Sequence, residues 1–254
     1  MNIIQDRFEL FKLIQKISTL FFQKKINIDQ DTSSRNLSLE KLLTKYGSDK
    51  ASFWTEKNNG HGYTKFYLKN LKKLKYKKLN ILEIGSFAGA SAAAFSKFFP
   101  NAKVFCLDIH ISKFIYTSKK IKVFGLDATK EKSVKSFFKK INISFDQEYF
   151  DIIIDDGSHK QDDILNALKL FFRSLKSNGF YIIEDYKHMN FIKHLRVINE
   201  LKIDKIINFL KIKKLFKSRI LKSSFQKELF KRIKDIKYYK GSSKISNIVF
   251  FKKN

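Results

Sequence analysis

A chain of 254 residues with 43% apolar side chains and 27 phenylalanines is long enough for one α/β domain with its own core. Its formal charge of +28 comes from 46 lysines and only six arginines. One cysteine excludes an internal disulfide, and no apolar run reaches the ~18 residues of a membrane span.

Arginine is the usual side chain for bidentate phosphate and base contacts, so its scarcity argues against a nucleic-acid partner. Abundant Lys, Ile, Phe and Asn with a single Pro fit the codon bias of an AT-rich genome. The lysine surface is therefore read first as a solvated one, with an acidic partner or membrane as the alternative. The N-terminus lacks a signal-peptide pattern, and a cytoplasmic protein is expected.

Residues 1–28 carry apolar side chains at Ile3, Ile4, Phe8, Phe11, Ile14, Leu20 and Phe21, roughly on a helical period. They predict an amphipathic helix that packs on the domain, mediates a homo-oligomer or lies on a membrane surface. Residues 29–37 read as a polar linker, so 1–40 is an extension and 41–254 the main domain. A short helix follows at 38–46. Strands are expected at 79–84, 103–109, 121–127, 150–155 and 179–185. Helices are expected at 90–99, 129–141 and 160–176. Near-continuous apolar strands alternating with helices predict a parallel sheet covered on both faces. Residues 190–234 read as a helical, Lys-rich insertion, and IKYYKG and SNIVFFKK as a closing antiparallel hairpin. The fold class is thus α/β, Rossmann-like, with a seven-stranded and mostly parallel sheet.

Chemistry gathers at the C-terminal ends of the strands, where open parallel sheets bind ligands. ILEIGSFAGAS places Glu83, Gly85 and Gly89 after the first strand. Glycines there allow close backbone approach and leave helix N–H groups free. Asp108 ends the second strand, where an acid can meet a ribose diol, and Asp127 ends the third. Singly, each glycine also fits a plain turn and each aspartate a helix cap. The fingerprint G-x-G-x-x-G is absent, so a nicotinamide oxidoreductase is disfavoured although Tyr116 and Lys120 have Y-x-x-x-K spacing. Asp155-Asp156-Gly157-Ser158-His159 and Glu184-Asp185 follow two further strands. With strands about 4.8 Å apart, these acids can converge on one metal ion with a histidine beside it. Helix capping, with Lys160 and Lys187 as counter-ions, is the alternative for the acid pairs.

E-x-G-x-x-x-G followed by Asp108 and Asp127 resembles the S-adenosylmethionine (SAM) site of class I methyltransferases. That resemblance implies Glu83 and Gly85 beside the methionine part, Asp108 on the ribose and Asp127 near the adenine. KYGSDK (45–50), HGYTKFY (61–67), LEIGSFAGAS (82–91), FDIIIDDGSH (150–159) and GFYIIEDY (179–186), in this order, resemble the metal-dependent sugar O-methyltransferases of the macrolide-glycoside type. Relatives of that type also occur in polysaccharide biosynthesis. The likeness implies Asp156, Glu184 and Asp185 as ligands of Mg2+, His159 as the general base and Asp155 on the cofactor side. The acceptor would be a sugar hydroxyl of a small molecule or glycan precursor. His61, Tyr63 and Thr64 could form a lid over the cofactor or touch substrate, or the aromatic residues could simply pack, and Trp54 could wall an acceptor pocket. Cys106, inside a strand, reads as core. The rival functions are an RNA methyltransferase and a non-catalytic protein of the same fold.

Overall fold

The computed structural model describes residues 24–55, 58–187 and 201–254. Its centre is a seven-stranded sheet. The strands are β1 (Leu79–Ile84), β2 (Ala102–Asp108), β3 (Ile121–Gly125), β4 (Phe150–Asp155), β5 (Leu175–Glu184), β6 (Ile233–Lys240) and β7 (Asn247–Lys253). Their spatial order is β6-β7-β5-β4-β1-β2-β3. The five strands from β5 to β3 are parallel. β7 runs antiparallel to both β5 and β6, which is the expected closing hairpin.

Alternation along the strands builds two cores, because successive side chains leave a strand on opposite faces. Leu82, Phe105, Ile153, Tyr181 and Val249 belong to one buried cluster. Ile81, Val104, Cys106, Ile152, Ile182 and Ile248 belong to the other. Helices α1 (Leu39–Tyr46), α2 (Thr64–Leu71) and α3 (Ala90–Phe98) supply the second cluster. Helices α4 (Glu131–Lys140), α5 (Gln161–Phe171), α6 (Ile203–Lys211) and α7 (Ser223–Arg232) supply the first. Helices therefore cover both faces, as expected. In α3 the run Ala92–Ala94 is wholly buried, and its small side chains let the helix lie close to the sheet.

The expected N-terminal helix falls mostly outside the described residues, but its end can be corrected. Ile26–Asn27 are extended and pair in parallel with Tyr116–Thr117, and Ile28 is fully buried. Residues 29–37 are not a loose linker. They form two short 3-10 turns, pinned where Asp31 accepts hydrogen bonds from Ser33, Lys45 and Tyr46. Asp29 is similarly tied to the Ser118 hydroxyl and the Lys119 amide. Among the described residues of the region 190–234, the helices are α6 and α7, and residues 188–200 lie outside the described part.

Candidate functional site

Strand order reverses between β1 and β4, since the chain runs from β1 outward to β3 and returns to β4 on the other side. A crevice opens at such a point, outside the carboxyl ends of the strands. It holds a cavity of about 510 Å³ lined by Gly85, Phe87, Asp108, Ile109, Asp127 and Asp155, among others.

Gly85 shapes this crevice. Its φ is +83°, and a Cβ there would stand 2.1 Å from the Asp156 carbonyl oxygen. Only glycine lets the first strand turn this tightly beneath the Asp156–Gly157 segment. Gly89 (φ +82°) acts differently, because a Cβ there would meet the Phe114 ring at 2.4 Å. It is therefore a packing glycine, not one that lines the cavity.

The two outer aspartates organise their own loops. Asp108 accepts hydrogen bonds from the amides of Phe87 (2.8 Å) and His110 (2.7 Å), which folds both loops over the cavity rim. Asp127 accepts from the Thr129 amide and hydroxyl, so it caps the turn before α4 as well as lining the wall. Asp155 is buried, and its Oδ2 has no hydrogen-bond partner among the described residues. Burial pushes its carboxyl up to about 7. Glu83 lies outside the cavity lining. It is wholly buried, and its Oε1 accepts from the Ser91 hydroxyl at 2.5 Å.

The parallel register of β4 and β5 pairs Asp155 with Ile183, so both acid pairs leave the same sheet edge. Asp156, His159 and Asp185 each offer a donor atom, all within 4.8 Å of one another. His159 Nε2 lies 3.9 Å from Asp156 Oδ1. His159 and Asp185 have φ of +57° and +48°, a left-handed conformation costly for residues with a Cβ. Such strain gathers at functional sites, where the surrounding fold holds it in place.

Glu184, the remaining acid of the expected ligand set, is buried with both oxygens hydrogen-bonded. Its Oε1 accepts from the Tyr67 hydroxyl, and its Oε2 accepts from Lys50 Nζ at 2.6 Å. Lys50 also binds Asp156 Oδ2 and lies 3.9 Å from Glu83 Oε1. This lysine is 1% exposed. Burial alone would lower its pKa, but Asp156, Glu184 and Glu83 together hold it well above the ordinary lysine value.

The expected lid residues also lie elsewhere. Tyr63 and Thr64 are buried, and neither lines the cavity. The Tyr63 hydroxyl donates to Asp185 Oδ1 at 2.5 Å. His61 stacks on Tyr63, with Nδ1 3.5 Å from Asp185 and Nε2 3.6 Å from Asp49. The N-terminal segment thus forms the back wall of the acidic cluster, because its aromatic rings need a core and their hydroxyls need acceptors. Tyr116 donates to the Tyr46 carbonyl and Lys120 to the Ser96 carbonyl, so the Y-x-x-x-K pair serves as structural ties. Cys106 is fully buried. The side chain of Trp54 lies outside the described part.

The acidic cluster suits a cation. Asp49, Glu83, Asp156, Glu184 and Asp185 crowd around one ammonium and two imidazoles. Carboxylates so close repel one another unless positive charge is added, and hard divalent cations take oxygen ligands with open positions to spare. Asp156 and Asp185 offer such oxygens, with His159 beside them.

Residues 82–186 match a methyltransferase domain. Among curated proteins, the L-olivosyl-oleandolide 3-O-methyltransferase of Streptomyces antibioticus is 29% identical over 167 residues, covering 61% of this chain and 38% of that protein. A Streptomyces olivaceus 3'-O-methyltransferase acting on a rhamnosyl tetracenomycin is 26% identical over 166 residues, covering 60% of this chain and 38% of its own length. This chain therefore spans well under half of those relatives. The MycE methyltransferase of mycinamycin biosynthesis, solved with Mg and SAH, superposes with a TM-score of 0.65 at 19% identity, covering 87% of this chain and 56% of that one. The likeness establishes a methyltransferase fold.

Lys50 and Tyr67 stand against the acidic cluster, and sequence reasoning gave neither a place there, reading Tyr67 only as a packing residue. Both lie in motifs that carry the resemblance, KYGSDK and HGYTKFY. Nothing in a lysine's type marks it among 46, and only the fold shows that this one is buried against acids.

Proposed function

We propose that this chain is a SAM-dependent, divalent-cation-assisted O-methyltransferase acting on a sugar hydroxyl of a glycan precursor or glycosylated metabolite. One observation carries the reading: the cavity at the strand-order reversal shares Asp156 with the Asp156–His159–Asp185 group. A cofactor pocket and a cation-binding set thus meet wall to wall. The names of the curated relatives, all sugar or macrolide O-methyltransferases, support this acceptor class.

Each residue then has a chemical role. Asp108 keeps lone pairs beyond those used by Phe87 and His110 and would accept from the cofactor's ribose. Asp127 and Asp155 would line the adenosine side. Asp156 and Asp185 would hold Mg2+. When bound, the cation would polarise an acceptor hydroxyl and SAM would supply the methyl group. His159, at the cluster's edge beside Asp156, would take the hydroxyl proton as general base. Glu184 serves this arrangement through Lys50 and Tyr67. The fold's main contribution is alignment of donor and acceptor.

No helix among the described residues is long and apolar enough to cross a membrane, and a cytoplasmic setting completes the proposal. The test is His159→Ala. Turnover of a glycoside acceptor is expected to fall at least about 100-fold, the scale of general-base catalysis, while SAM binding persists. Full activity in that variant would refute the assignment of the base.

A further inference from the structure

Lysines are spread over the whole chain, so their number alone points to no partner. Their distribution does. The chain has 24 acids for 52 cations, yet residues 205–227 hold seven lysines and one arginine with no acid among them. Within this stretch, the loop after α6 reads KIKKLFK (211–217). Ile212 and Leu215 are 56% and 46% exposed, and the four lysines around them are exposed as well. Lys211 and Lys214 lie over the rings of Tyr238 and Phe209. Among the described residues, no carboxylate pairs with any of the four.

The loop is held in this shape. Lys213 has a φ of +55°, and the Lys214 amide donates back to the Phe209 carbonyl at 2.9 Å, which closes the end of α6. Gln226 of α7 is fully buried. It accepts from the Phe216 amide and donates to the carbonyls of Phe216 and Leu221. Phe216 in turn stacks on Phe209. One aromatic residue is thus turned inward while two aliphatic ones are kept in water, which is unfavourable and gains nothing inside the fold. Tyr238, 54% exposed on the edge strand β6, extends the apolar patch.

We propose that this loop docks the protein on an anionic phospholipid bilayer, with Ile212 and Leu215 entering the hydrocarbon boundary and Lys211, Lys213, Lys214 and Lys217 meeting lipid phosphates. The chemistry selects a bilayer over a nucleic acid. A phosphate backbone offers nothing to exposed aliphatic side chains, and arginine, which forks onto phosphates, occurs once in this stretch. A bilayer needs no matching pocket. Lysine stems lie along its apolar boundary while the ammonium groups stay among the headgroups. Apolar burial and attraction to anionic lipid then add. The inference is independent of the proposed reaction and adds where the protein works.

Co-sedimentation of the full chain with vesicles tests this without turnover. Binding to an equal mixture of phosphatidylcholine and phosphatidylglycerol is expected, at least about tenfold tighter than to phosphatidylcholine alone. Lys211→Gln, Lys213→Gln, Lys214→Gln and Lys217→Gln together should weaken it at least about 100-fold. The same change at Lys72, Lys73, Lys77 and Lys78, four exposed lysines before β1, should cost less than about threefold, because salt screens charges held away from the surface. Ile212→Ser with Leu215→Ser should weaken binding at least about tenfold. Leu215→Cys carrying an environment-sensitive dye should shift to the blue on the mixed vesicles, and Cys106 is fully buried and does not compete for the label. Every altered side chain is exposed, so the variants are expected to fold, which circular dichroism checks.

Equal losses from the two lysine sets mean attraction by net charge alone and overturn the proposal. Undiminished binding after Ile212→Ser with Leu215→Ser, or an unshifted dye, means a polyanion surface that enters no bilayer and overturns it too. Wild-type protein that ignores the mixed vesicles does the same, and leaves methyl transfer untouched.

Discussion

The hydroxyl of Tyr63 donates to Asp185 across 122 positions of sequence. This bond joins the segment before β1 to the acid pair after β5. Both residues are buried, Tyr63 completely. The back wall of the acidic cluster therefore belongs to the N-terminal segment, outside the part that matches the methyltransferase domain. Tyr63→Phe keeps the ring and deletes the donor, leaving a buried carboxylate oxygen short of a partner. A loss of about 2 kcal/mol in unfolding free energy is expected, measured by urea denaturation. A loss below about 0.5 kcal/mol would mean that Asp185 finds another donor.

Gly85 offers a sharper steric test. Its φ of +83° and the 2.1 Å approach of a built Cβ to the Asp156 carbonyl leave no room for alanine. Gly85→Ala is expected to push the Asp156–Gly157 turn aside and lower stability by more than about 2 kcal/mol. SAM binding should weaken at least about tenfold in the same variant, read by calorimetry. Normal affinity would show that the turn can shift without disturbing the crevice.

Arg173 and Glu228 give a pH signature away from the site. Arg173 Nε and Nη2 reach the two Glu228 oxygens at 3.0 and 2.7 Å, and Nη1 reaches Asp146 at 3.0 Å. The Arg173 hydrogen bonds hold the Glu228 carboxyl below its usual range, outweighing the opposing effect of burial. A carboxyl lowered in the folded state stabilises the fold above its unfolded pKa of about 4.3, and that contribution fades as pH falls through the folded value. Arg173 is 39% exposed, so screening limits the effect to about 1 kcal/mol. Wild type should exceed Glu228→Gln by that amount at pH 7, and the gap should close as pH falls from about 5 toward 3. Thermal unfolding across that range reads the difference, and a gap constant with pH would rule out the ion pair as its source.

Much of the fold is legible in the sequence because its signals are periodic. Apolar runs such as FDIIID and GFYII name buried parallel strands, and acids at their ends need no side-chain geometry to be grouped on one edge. Finer detail is not legible where a side chain has a choice of partner. Glu184 stands at the right edge but turns to Lys50 and Tyr67, since a buried carboxylate takes the nearest donors. Gly89 fits a ligand turn by spacing, yet it makes room for Phe114. Ile26–Asn27 read as helix because the period of a few apolar residues is weak evidence. The pairing with Tyr116–Thr117 that overrides it comes from far along the chain.

Calorimetric titration of SAM into the intact chain, first with Mg2+ and then with chelator, tests the central claim most directly. Saturable one-site binding in both buffers is the expected result, because the cavity proposed for the cofactor is lined by Gly85, Asp108, Asp127 and Asp155, none of them a proposed cation ligand. Absence of binding in both buffers would contradict the assignment of this crevice to methyl transfer.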